Sequence, residues 1–123
     1  MEPTARSLVV KCTAGVEAPE RCNQAFTVAA LGVAAGAAVS MWLTGEAAWL
    51  AVPGRAEVFA LPEAAPLADL RDAILAGGSI AVCSQCAARR GLTEADLLPG
   101  IAIKGSASFV AQILEPGAQA LVY

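Results

Sequence analysis

Five short runs along the chain are apolar at most positions: SLVVKC at 7–12, AVSMWL at 38–43, SIAVC at 79–83, IAIK at 101–104 and QALVY at 119–123. Runs of this length, rich in Val, Ile and aromatics, predict strands buried on both faces. The stretches between them read as helices. Residues 18–36 open with Pro19, which suits a first helical turn, are apolar nearly all round and stop at Gly36. This predicts a helix pressed between a sheet and other protein. In PLADLRDAILAGG, Leu67, Leu70, Ile74 and Leu75 recur at i, i+3, i+7 and i+8, with Asp69, Arg71 and Asp72 on the other side. Pro66 starts this amphipathic helix and Gly77-Gly78 stops it. VPGRAEVFALPEAAP, with three prolines and one glycine, reads as an irregular excursion and the candidate mobile part. Ser106 or Ser108 is expected to cap a last helix running to Pro116-Gly117, and Thr44 to cap GEAAWLAV with Glu46 in its first turn.

Strands alternating with helices, without a tight hairpin signal, predict a three-layer α/β/α sandwich with a mostly parallel sheet of about five strands. The chain is expected to form a single domain over 1–123. Ligands in such sheets bind beyond the carboxyl ends of the strands. That rule places the four cysteines: Cys12 closes the first strand, Cys22 lies in the first turns of the next helix, Cys83 closes the third strand and Cys86 follows one turn on. All four are expected at one rim.

Composition narrows the partners. The chain is 57% apolar and 15% charged, with mean hydropathy +0.61, which leaves little polar material to cover a monomer and predicts subunit contacts. Net charge is −3, and apart from Arg89-Arg90 the basic residues are scattered, so nucleic acid is not an expected partner. The start, MEPTARSLVV, lacks the basic region and long apolar stretch of an export leader. A cytoplasmic location with free thiols is therefore expected. Residues 22–45 carry no charge over a length that would span a bilayer. Asn23, Gln24, Thr27, Ser40 and Thr44 interrupt them, and no Lys/Arg excess flanks them, so they read as helix, stop and strand, with no membrane partner.

The chemistry centres on sulfur. A thiol is a nucleophile only as thiolate, and unpaired N–H groups at a helix start favour the anion. Cys83 has that address, and Cys86 at i+3 can approach it as in C-x-x-C redox pairs. Arg89 and Arg90 bring positive charge about two turns on. Cys12 reads equally as a strand-end core residue and Cys22 as a packed helix residue. The absence of histidine excludes Cys-His dyads and every His-dependent metal site. A four-cysteine zinc site stays open, although C-x9-C followed by C-x2-C offers only one tight ligand pair. Glu46, Trp42 and Trp49 follow or close a strand and are candidates for the cleft; for both tryptophans packing is the alternative. KGSAS offers Lys104 and helix-start N–H groups, but not the glycine spacing of a nucleotide loop, and no cofactor is expected.

The segment AVCSQCAARRGL resembles the thiol segment of the DsrE/DsrF/TusD-like sulfur-relay family, and LVVKCTAG, VSMWLTGEAAWL and LPGIAIKGSASFV extend the resemblance over nearly the whole chain. The resemblance implies a small parallel α/β/α domain, assembly as a trimer or hexamer, and a persulfide carried on Cys83, with Cys86 as a resolving thiol. It implies sulfur donor and acceptor proteins or small thiols as partners. Cys12 and Cys22 are not part of the family's core pattern. An oligomeric binding or assembly module with inert or zinc-holding thiols is the alternative.

Overall fold

The computed structural model describes residues 6–123; residues 1–5, which open the stretch read against an export leader, lie outside them. Strands β1 (Ser7–Cys12), β2 (Ala38–Leu43), β3 (Ser79–Cys83), β4 (Ala102–Lys104) and β5 (Ala118–Val122) pair in the order β4-β3-β2-β1-β5, and every pair is parallel. Helices α1 (Pro19–Ala34), α2 (Leu67–Gly77), α3 (Ser84–Arg89) and α4 (Ser106–Ile113) connect them, with a 3₁₀ helix over Gly45–Ala51. The architecture is the three-layer α/β/α sandwich expected from the alternation of elements.

From β1 to β4 the chain advances strand by strand in one direction, then returns to the far side of β1. Because parallel crossovers are right-handed, the reversal carries α4 to the opposite face of the sheet. The strand pleat makes the division visible. Val10, Met41, Leu43 and Val82 pack with α1 and α2, whereas their neighbours Val9, Trp42 and Ala81 meet Phe109 of α4. On the first face, Ala25, Ala29 and Ala30 let α1 lie close to the sheet and fully buried Phe26 fills the gap, a burial worth about 1.5–3 kcal/mol. On the second, Trp42 meets Phe109 edge to face at 5.5 Å, and Gln112 accepts from Trp42 Nε1 at 2.8 Å and donates to Ser40 Oγ at 2.6 Å.

Four expectations are corrected. Burial on both faces holds for the centre of the sheet but not for the edges: β4 is part-buried and β5 is largely exposed. Eight residues of α4 cannot roof the second face, and Val110, Leu114, Leu121 and Val122 remain in solvent. Thr44 stands at the N-cap position of the 3₁₀ helix, but its side chain does not cap; the hydroxyl donates across to the Cys12 carbonyl at 3.3 Å. The cap of α4 is Gly105, which frees Ser106 for another role. Arg71, read on the polar side of its helix, is only 5% exposed and reaches back to Glu57 in the Pro-rich excursion, two bonds of 2.9 Å. That excursion is therefore pinned to α2. Among the described residues no helix is long and apolar enough to cross a membrane.

Candidate functional site

The site forms where β2, β3 and β4 end together. Cys83 is the last residue of β3 and stands at the N-cap position of α3. The C-x-x-C spacing turns Cys86 back over it within one helical turn. Burial pushes the Cys83 thiol up, but the N–H groups of Cys86 and Gln85, the Cys86 thiol and the Ser106 hydroxyl all favour the anion. The donors prevail, and its pKa lies below the ordinary thiol value of 9.0. Hydrogen bonding to the charged form thus outweighs desolvation. Cys83 is 8% exposed, so at the rim the residue lies just under the surface and is not open to solvent.

The loop after β2 completes the arrangement. Gly45 N–H donates to Cys86 Sγ at 3.2 Å. Arg90, a candidate for the rim, turns inward: Nη1 donates to the Cys86 carbonyl at 3.1 Å, while Nε and Nη2 reach Glu46 Oε2 at 3.0 and 2.9 Å. Trp49 Nε1 donates to the same oxygen at 3.2 Å. Glu46 and Arg90 therefore clamp α3 to the 3₁₀ helix and fix the backbone that carries both thiols. Lys104 is the register partner of Cys83 on β4 and is exposed.

Cys12 of β1 and Cys22 of α1 reach the same end of the sheet but are sealed in the core. The Cys12 thiol donates to the Ala14 carbonyl at 3.2 Å. A hydrogen bond from Cys22 lowers the Cys12 pKa, and the same bond, with burial, pushes the Cys22 thiol up. The four cysteines form two pairs and not one cluster. Among the described residues no three His, Cys, Asp or Glu side chains gather as metal ligands. Two participants escaped the sequence reading: Ser106, taken for a cap, and Gly45, overlooked beside Thr44. Their shared signal is position, since each is among the first residues beyond a strand adjacent to β3.

Fold and site together define a small parallel α/β/α protein with a thiol at the carboxyl edge of its sheet. Residues 6–123 match the DsrE/DsrF-like family, and the chain belongs to it. It is similar to the YchN protein of E. coli, with TM-score 0.80 and 14% identity over 96% of this chain and 99% of that one. It also resembles BT1422 of Bacteroides thetaiotaomicron, a protein of unknown function, with TM-score 0.63 and 17% identity over 96% and 95%. A third relative in structure, MTH1491 of Methanobacterium thermoautotrophicum, likewise of unknown function, gives TM-score 0.62 and 10% identity over 98% and 100%. No curated protein matches the chain.

Proposed function

We propose that the chain is a cytoplasmic sulfur carrier that works as one domain and passes sulfane sulfur through Cys83. The Cys83 thiolate attacks the outer sulfur of a donor persulfide, R–S–SH. A new S–S bond forms, the donor's S–S bond breaks, and the donor leaves as its thiolate. Cys83 then carries the terminal sulfur until an acceptor thiolate attacks that same atom and Cys83 departs as thiolate. Alternatively Cys86 attacks the inner sulfur, expelling hydrosulfide and leaving a Cys83–Cys86 disulfide for an external dithiol to reduce. Donor and acceptor are proteins or small thiols. The exposed Val110, Leu114, Leu121 and Val122 favour a homo-oligomer, a trimer or hexamer, through the thinly covered face.

One observation carries this reading: Cys83 lies under two backbone N–H groups, a thiol and a hydroxyl, all favouring its anion. Its shallow burial favours a second reading, an oligomeric binding module with inert thiols. Intact-mass spectrometry after incubation with a persulfide donor separates them. The carrier gains one sulfur atom, Cys83→Ser gains none and Cys12→Ser gains as much as the wild type; equal loading of all three refutes the assignment. Slow alkylation of Cys83 at neutral pH, with no loading, establishes the inert module.

A further inference from the structure

The loops that follow β1 and β2 touch at the carboxyl edge. A Cβ on Gly15 would lie 2.6 Å from the Glu46 carbonyl oxygen, so a side chain there would force the backbones apart. The contact sets Val16 against the 3₁₀ helix, where Val16, Glu46, Trp49, Leu50, Arg55 and Val58 bound a cavity of about 170 Å³. This cavity shares a residue with the thiol site. Glu46 Oε2 accepts from Trp49, which lines the cavity, and from Arg90, whose other nitrogen holds the Cys86 carbonyl.

Size and polarity restrict what can enter. The cavity is smaller than the roughly 300 Å³ at which small-molecule pockets begin, and it has room for one large apolar side chain. Leu50 is a buried wall, whereas Val16 and Val58 are 70% and 79% exposed; apolar rims of this kind gain by excluding water against a partner. Glu46 is already matched by Arg90, and Glu17 accepts from the Gly15 N–H. The Arg55 guanidinium lies 4.7 Å over the Trp49 ring and, among the described residues, makes no ion pair. The complement of this surface is an apolar side chain beside a carboxylate.

We infer that the Trp49 cavity docks the polypeptide that exchanges sulfur with Cys83, a chain whose reacting cysteine is flanked by a large apolar residue that enters the cavity and an acidic residue that pairs with Arg55. The inference rests on the sulfur-exchange reading of Cys83. Anchoring on a surface joined to the thiol site through Glu46 and Arg90 would make the exchange effectively intramolecular.

Two synthetic peptides test it, each with one cysteine activated as a nitropyridyl disulfide, one flanked by Leu and Asp and the other by Gly and Lys. The Cys83 thiolate attacks the peptide's cysteine sulfur, a protein–peptide disulfide forms and nitropyridinethiolate leaves, with no net oxidation. The Leu/Asp peptide is expected to react with saturation and about tenfold faster. Val58→Asp should abolish that preference while leaving the reaction with bis-nitropyridyl disulfide unchanged. Equal rates for the two peptides, or a preference that survives Val58→Asp, overturn the inference. So does a fall in oligomeric mass in Val58→Asp when the wild type reacts equally with the two peptides, which assigns the cavity to a second copy. If Cys83 ignores even the small disulfide, the sulfur-exchange reading fails. Docking is then judged alone by titrating the Leu/Asp peptide, with serine replacing its cysteine, against the protein's tryptophan emission, to which Trp42 and Trp49 both contribute. A saturating change lost in Val58→Asp sustains docking, and no change overturns it.

Discussion

The N–H of Gly45 donates to the sulfur of Cys86 at 3.2 Å, across 41 positions of sequence. The contact exists because residue 45 adopts φ +55 and because a Cβ there would stand 2.9 Å from the Thr13 carbonyl oxygen. Gly45→Ala must therefore accept left-handed strain of roughly 1–2 kcal/mol and push the loop away from β1. We expect a loss of stability of at least that size in urea, together with slower alkylation of Cys83, since Cys86 loses the group that holds its sulfur in place. Wild-type values in both measurements would show that the contact does nothing for the site.

Cys83 should titrate below an ordinary thiol. Its anion is favoured by Cys86 and Ser106 side chains as well as by the start of α3, and a hydrogen bond to a charged group is worth about 1.5–3 kcal/mol. Removing a donor destabilises the thiolate, so Cys86→Ala and Ser106→Ala each raise the midpoint of iodoacetamide reactivity against pH and slow the reaction at neutral pH. Cys86→Ser keeps a donor and should stay near the wild type. An unchanged midpoint in both alanine variants would remove these side chains from the account.

Much of this was legible in the chain. Buried strands announce themselves through uninterrupted Val, Ile and Leu, which is why the positions of β1, β2 and β3 and the place of Cys83 could be read directly. Contacts between elements are another matter. Arg71 looks like a solvated charge from its helical spacing; only the excursion, folding back to present Glu57, makes it a buried ion-pair residue. Arg90 is similar, since the clamp depends on where the loop after β2 delivers Glu46. Cys12 and Cys22 show the opposite failure. The strand-end rule locates them correctly along the sheet but does not say that α1 packs down and seals both in the core.

The Arg71–Glu57 pair makes stability sensitive to acid. The Arg71 hydrogen bond holds the Glu57 carboxyl below its usual value of 4.5. For a carboxylate depressed in the folded state, the contribution is complete above the unfolded value and is lost as pH falls through the lower folded one. The thermal midpoint should therefore decline on acidification below about 4.5, and Glu57→Gln should lower it at neutral pH while flattening that part of the decline. An identical acid profile in the variant would place the sensitivity elsewhere. Glu57→Ala should also release the excursion, read as faster proteolytic cleavage within residues 52–66.

The two cysteine pairs predict two classes of thiol. Cys83 lies just under the surface, whereas Cys12 and Cys22 are wholly enclosed free thiols joined by a hydrogen bond. A disulfide reagent added to native protein should modify Cys83 first and leave Cys12 and Cys22 untouched until the core opens, at a rate that tracks unfolding in denaturant. Peptide mapping of the modified protein assigns the sites. Cys12→Ala and Cys22→Ala should each lower stability by creating a small cavity beneath α1, yet leave persulfide loading of Cys83 intact, because neither sulfur touches the donors that hold the Cys83 anion. Loading that disappears in either variant while the fold survives would bring the buried pair into the transfer chemistry, with sulfur passing inward from the rim.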